Sequence, residues 1–241
     1  MRTFFPETER LKIHEKGQEQ LFDADGKEAL DYLKSVRLFT DKVIREANLG
    51  YMPKGVRNCL GFPHELSGKI IMPIINQYGE LVALSGRDWR KDAKMPFWHE
   101  SFSKSNYLYG LNVAKDHIIK NKKVIVVEGQ FDAVKLWQFG MYCSVAILGS
   151  APQIHQIALL SRYCKNMYIV FDGDEAGIAA TERMNEISRN NNIPFFGINL
   201  IPVILPDRLD PDDFIKSRGT KKFINILKQA KEIFFERKEK E

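Results

Sequence analysis

From Val124 onward the chain repeats one pattern that leaves few folds open to it. Short apolar runs alternate with helix-like stretches, and the runs end in acidic or glycine residues. Val124–Val127 has only four residues, too short for a helix and typical of a strand buried on both faces. It ends in Glu128-Gly129, and Phe131–Phe139 follows with helical spacing of Val134, Leu136 and Trp137. Ser144–Leu148 and Tyr168–Phe171 read as further strands, the second ending in Asp172-Gly173-Asp174. Ile154–Tyr163 and Ala176–Ser188 read as helices, and Gly197–Val203 as a fourth strand before the acidic loop Leu205–Asp213. Strands and helices alternating at this spacing predict an α/β domain with a mainly parallel sheet flanked by helices.

In such sheets, ligand sites form outside the carboxyl ends of the strands. Three carboxylate sets fall there: Glu128 with Asp132, Asp172 with Asp174, and Asp210 with Asp212 and Asp213. Each set alone also suits a bland role. Asp132 could cap a helix, Asp172-Gly173 could be a turn, and Asp210-Pro211 could start a loop. Converging together, they would repel one another unless cations neutralised them, and hard ions such as Mg²⁺ favour an all-oxygen shell. An EF-hand does not fit, because Ala176 and Arg183 stand where ligands would be needed. An aspartyl-phosphate motif is also poor, since Ala176 replaces its Thr or Val.

Upstream, Lys27–Val36 reads as a helix and Thr40 as the cap of a second one running to Ala47, with Gly50 just past its end. Ile70–Ile75 and Glu80–Ser85, joined by Asn76-Gln77-Tyr78-Gly79, read as a hairpin. Residues 1–26 look like a polar extension, and Lys231–Glu241 like a charged, frayed helix at most. Charge is distributed in blocks: +6 over 54–123, −5 over 124–213 and +5 over 214–241. A basic block beside an acidic one suits a polyanion partner and a metal-holding site. No stretch is long and apolar enough to span a membrane, which predicts a cytoplasmic protein. The three cysteines, Cys59, Cys143 and Cys164, form no CxxC pair, so neither a disulfide framework nor a structural zinc site is expected.

Val126-Val127-Glu128-Gly129-Gln130-Phe131-Asp132 and Phe171-Asp172-Gly173-Asp174-Glu175-Ala176-Gly177 resemble the two signature motifs of the Toprim domain. Leu205-Pro206-Asp207 with Asp210-Pro211-Asp212 is similar to the third acidic motif of DnaG-type primases. Met72-Pro73-Ile74, Gly86-Arg87 and Leu108-Tyr109-Gly110-Leu111 also look like segments of that family's RNA-polymerase core, as does Ala29–Lys34. The resemblance implies an N-terminal extension (1–26), a smaller basic α+β subdomain (27–112), a Toprim domain (113–217) and a helical tail (218–241). It further implies synthesis of short RNA primers on single-stranded DNA from ribonucleoside triphosphates, with Mg²⁺ or Mn²⁺ as cofactor. Glu128, Asp172, Asp174, Asp210 and Asp212 would hold the metal, with Glu128, Asp172 and Asp174 catalytic and Asp132 supporting them.

The basic stretch carries Arg87, Lys94 and Lys104 among other cations, with Trp89, Phe97 and Trp98 interleaved. Cations on phosphates and rings under bases are the usual means of holding single strands. By composition, Trp89 and Trp98 are more ordinary as core residues than as stacking platforms. The resemblance places Arg87, Lys94 and Lys104 against template or nucleotide, and Asn106 where the family often has a basic residue. The family's zinc module and helicase-binding domain have no counterpart among these residues, which implies a replicative helicase or a separate zinc-containing subunit as partner, a compact phage-type or mobile-element primase, or a fragment. The same carboxylates would also serve a Toprim nuclease, and the fold could persist in a non-catalytic nucleic-acid-binding subunit. A topoisomerase would need a tyrosine nucleophile in a further domain.

Overall fold

The computed structural model describes residues 5–54, 64–149, 152–173, 175, 177–179 and 197–238. Two compact units divide the chain, Met1–Ser103 and Lys104–Glu241. The division precedes the 112/113 boundary expected from sequence, because residues 104–110 are bonded into the second unit. Tyr109 exchanges backbone hydrogen bonds with Ala146 (2.9 and 3.1 Å). The buried Gln156 amide donates to the carbonyls of Lys104 and Tyr107 at 3.2 and 2.7 Å.

The first unit begins with helix α1 (Glu7–Phe22), where a polar extension was expected. Its inward stripe, Arg10, Ile13, His14, Gly17 and Leu21, has helical spacing. Two of those five residues are ionisable, which hides the stripe from a reading of apolar period. Arg10 is neutralised inside the unit: its guanidinium meets Glu100 at 2.7 Å, with side chains 6% and 0% exposed. Backbone groups bond to the pair as well. Arg10 donates to the carbonyls of Phe5 and Leu81, and the Phe5 and Leu84 N–H groups donate to the Glu100 carboxylate.

Helix α2 (Lys27–Asp31) runs into a π-helical turn, Tyr32–Val36, and α3 spans Asp41–Glu46. Thr40 caps α3 as expected, its hydroxyl accepting from Val43 N–H at 3.3 Å. Strands β1 (Gly50–Met52), β2 (Lys69–Ile75), β3 (Leu81–Arg87) and β4 (Phe97–His99) form an antiparallel sheet in that order. Gly50, expected beyond a helix end, opens β1. The β2–β3 turn is set by Asn76, whose side-chain carbonyl accepts from the N–H groups of Tyr78 and Glu80.

The second unit contains α4 (Leu111–Asn121), β5 (Lys123–Val127), α5 (Gln130–Gln138), β6 (Ser144–Ala146), α6 (Ile154–Ser161), β7 (Asn166–Phe171) and β8 (Asn199–Ile204). Helices α7 (Pro211–Arg218) and α8 (Thr220–Lys238) complete it among the described residues. All sheet pairings are parallel, in the order β6-β5-β7-β8. This is the expected α/β fold. Val124–Val127 and Met167–Phe171 are buried throughout, as strands covered on both faces must be. The helix expected over 176–188 lies mostly outside the described residues. Helix α8 continues through Lys231–Lys238, part of the stretch expected to be a charged, frayed helix, and is anchored upstream by the buried Phe223 (0% exposed) and Leu227.

Candidate active site at the carboxyl edge of the parallel sheet

Strand order decides where the carboxylates go. From β5 the chain passes to β6 on one side, and β7 then lies on the other side of β5. The chain therefore reverses its winding between β5 and β7, and the crevice at such a switch point is where open α/β sheets bind ligands. Glu128 leaves the end of β5 and Asp172 the end of β7, the two strands that flank this crevice. Both residues are partly buried, and the Asp172 Oδ1 atom is inaccessible to solvent. Asp174 lies outside the described residues.

The acidic loop after β8 is brought directly onto the Asp172 turn. Phe171 pairs with Ile204 at the ends of β7 and β8, and Gly173 N–H donates to Leu209 O at 3.2 Å. Gly173 has to be glycine here, because a Cβ would collide with the Leu205 carbonyl and the Arg208 backbone. The second and third acidic motifs thus share one packed turn.

Asp132 has a defined role. One carboxylate oxygen reaches back to Gly129 N–H at 3.1 Å, closing the first turn of α5. A Cβ at Gly129 would strike that same oxygen. Asp132 therefore fixes the backbone that follows Glu128.

The third acidic motif departs from expectation. Pro211, Asp212 and Asp213 do not lie in a loop; they form the first turn of α7. Asp210 is its N-cap, accepting from Asp213 N–H at 2.6 Å, with Pro at the first helical position, where a missing N–H costs nothing. Asp212 is fully buried between two lysines. Its Oδ1 is 3.1 Å from Lys135 Nζ on α5 and its Oδ2 2.8 Å from Lys216 Nζ on α7. Lys135 is itself 1% exposed. Both oxygens of Asp212, expected from the resemblance to hold metal, thus face ammonium groups, and the residue ties α7 to α5.

Lys135 escaped the sequence reading. Its signal was a lone cation in Val134-Lys135-Leu136-Trp137, on a face too apolar to leave it unneutralised. Asp207, in left-handed backbone at φ 62°, pairs with Arg218 at 2.6 Å on the surface. Among the described residues, no group of three or more His, Cys, Asp or Glu side chains is arranged around a metal position.

The expected basic residues fall in both units. Arg87 ends β3, opposite Phe97 in the β3–β4 register, and its guanidinium carbon lies 3.9 Å from the Phe97 ring centroid. Phe97 is 52% exposed, so the cation and ring form one amphipathic surface. Lys94 is exposed in the turn between β3 and β4. Lys104 opens the second unit, where partial burial lowers its amine below the usual lysine range. Trp98 belongs to the first unit's core, and Trp89 stacks on Tyr32 with centroids 5.5 Å apart. Neither tryptophan is a free stacking platform. Cys143 and Cys164 are buried free thiols; burial raises both, Cys164 to about 12.

The Toprim-like family profile matches residues 125–215, the stretch holding all three acidic motifs. The DNA primase of Aquifex aeolicus is 32% identical over 239 residues, covering 86% of this chain and 46% of the relative. The DNA primase of Staphylococcus epidermidis is 30% identical over 240 residues, covering 87% and 39%. The chain therefore spans less than half the length of these curated relatives. The solved catalytic core of DnaG superposes with a TM-score of 0.82 at 26% identity, covering 92% of this chain and 79% of that one. A DnaG primase catalytic domain solved bound to single-stranded DNA gives 0.80 at 25% identity, covering 92% and 80%. With its winding reversal and its carboxylate turns, the chain carries a Toprim-like domain over residues 125–215 and is similar in sequence and fold to the catalytic cores of DnaG-type primases.

Proposed function

We propose that this chain catalyses template-directed joining of ribonucleotides on single-stranded DNA, as the polymerising core of a DNA primase. The observation that carries the reading is the meeting of the Asp172 turn and the 205–210 loop beside Glu128, at the switch point of a sheet whose solved likenesses include primase cores. The donors available there are all oxygens, which suits Mg²⁺ or Mn²⁺. Glu128, Asp172, Asp174 and Asp210 are the residues to hold it, Asp210 from the N-cap of α7. Once bound, the ion supplies Lewis-acid activation of a primer 3′-hydroxyl and neutralises charge on the phosphates.

The chain's own residues do the rest. Asp132 fixes the backbone that follows Glu128. Asp212, held by Lys135 and Lys216, sets the third acidic turn against α5. Arg87, Lys94 and Lys104 are the cations to bind template phosphates or the triphosphate. Arg87, backed by Phe97, offers both a charge and a ring face to a strand.

The test is primer synthesis on single-stranded DNA with ribonucleoside triphosphates and Mg²⁺ or Mn²⁺. Asp172→Ala should abolish incorporation while circular dichroism stays unchanged. Metal-dependent DNA cleavage with no incorporation under any template or metal condition would replace this reading with a nuclease. Incorporation that survives Asp172→Ala would overturn the site.

A further inference from the structure

The second unit has a concavity at the other end of its sheet. Lys123 and Asn166 are the first residues of β5 and β7, so they mark the amino-terminal edge, away from the carboxylates. There, α4, the turn around Tyr142 and α8 enclose a groove of about 480 Å³. That volume is within the usual range of small-molecule sites, about 300–1,000 Å³.

Its charge is one-sided. Lys123, Lys228 and Lys231 contribute three ammonium groups, and no described lining residue is Asp or Glu. Among the described residues none of the three is ion-paired, although Lys231 Nζ lies 5.9 Å from the Phe235 ring. Like charges gathered around a concave, partly apolar wall focus a positive potential that only an anion relieves. Lys228 and Lys231 belong to the basic block at 214–241, and the proposed reaction uses neither of them.

The remaining wall combines ring faces and apolar side chains with amide groups. His117 and Tyr142 stack with centroids 5.0 Å apart, which pre-orders one side. Tyr168 and Leu227 add apolar surface. Asn166 has its side-chain carbonyl occupied by Asn199 at 2.9 Å, which leaves its amide N–H groups as donors. Cations beside ring faces and an amide donor match a phosphate joined to a planar ring system.

We propose that this groove binds a nucleotide-sized phosphate monoester, at a site separate from the carboxylate edge. Occupancy bridges α4, β5 and α8 and stabilises the second unit by mass action. Binding here needs neither metal nor template, so it stands or falls apart from polymerisation.

The experiment uses the whole chain in EDTA, with AMP and inorganic phosphate as probes, read by equilibrium dialysis and by thermal unfolding. AMP should bind saturably, one per chain, and raise Tm, while inorganic phosphate competes at least tenfold more weakly. Lys228→Glu with Lys231→Glu, both on the exposed side of α8, should weaken AMP at least tenfold with an unchanged circular dichroism spectrum. Tyr142→Ala should bring AMP down toward the affinity of inorganic phosphate. Asp172→Asn should leave AMP binding intact. Four results would overturn the proposal: no saturable AMP binding at millimolar concentration, indifference to the charge reversal, loss of binding on Asp172→Asn, or equal affinity for AMP and inorganic phosphate in the unaltered chain.

Discussion

Each unit buries an ion pair between two helical or strand-edge elements, and the two pairs are built differently. Arg10 and Glu100 are joined in the first unit by fork-like guanidinium geometry, with backbone groups of Phe5, Leu81 and Leu84 adding further hydrogen bonds. Asp212 in the second unit is shared between two point-like ammoniums, Lys135 and Lys216. Arginine offers several donors in one plane, whereas each lysine is a single compact charge. The antiparallel unit thus uses its pair to fasten α1 to the sheet. The parallel unit uses an acidic-motif residue to set the third turn of its site.

Breaking the first pair should have the largest effect. Glu100→Gln leaves a buried guanidinium without its counter-charge, and the expected loss is about 3–5 kcal/mol. Urea unfolding followed by the fluorescence of Trp98, a core residue of the first unit, measures it. Retention of full stability would show that Arg10 reaches water.

Lys135→Met should cost less, about 1–3 kcal/mol, because Lys216 still neutralises Asp212. Trp137, buried in the second unit, reports it. Asp212→Asn and the double variant separate anchoring from metal ligation. If the aspartate is an anchor, Lys135→Met and Asp212→Asn couple strongly in a double-mutant cycle. If it is instead a metal ligand, Asp212→Asn abolishes primer synthesis and Lys135→Met leaves the rate and its metal dependence unchanged.

Acid should separate the units next. Burial holds the His14 imidazole below its ordinary value near 6.5, with hydrogen bonding to Asn48 O only partly opposing it. The unfolded chain therefore binds the proton more readily, so this contribution is present above about pH 6.5 and is lost as pH falls below it. The stability of the first unit should fall over that range, and His14→Gln should flatten the profile. An unchanged slope in the variant would exclude His14 as the cause.

The smallest effect concerns Tyr109. Its hydroxyl is buried without a hydrogen-bond partner among the described residues, while its ring stacks on Trp137 at 5.8 Å. Tyr109→Phe keeps the ring and removes the unsatisfied group, so stability should rise by up to about 1 kcal/mol. A loss of stability would reveal a partner for the phenol.

The parallel unit was the more legible of the two. Its strands are continuous apolar runs and their ends are marked by acids and glycines, so both the sheet and the edge that gathers Glu128 and Asp172 could be read directly. The first unit was harder because α1 faces inward with Arg10 and His14, whose burial is possible only through Glu100 and Asn48, distant in sequence. Carboxylate roles were legible by position and not by partner. Asp132, Asp210 and Asp212 share one residue type near one edge. The first closes a helix turn, the second caps a helix and the third sits between lysines.

Sequence alone therefore determined the α/β class of the second unit, the hairpin of the first, and which short segments carry the acids. Those features follow from local period and turn chemistry, which act between near neighbours. Tertiary structure decided the rest: the winding reversal beside β5, the packing of Gly173 on the 205–208 backbone, the neutralisation of Asp212 by Lys135, and the basic groove at the amino-terminal edge. Each of these depends on which distant groups meet in a low-dielectric interior or concavity, where a charge must find its partner in space.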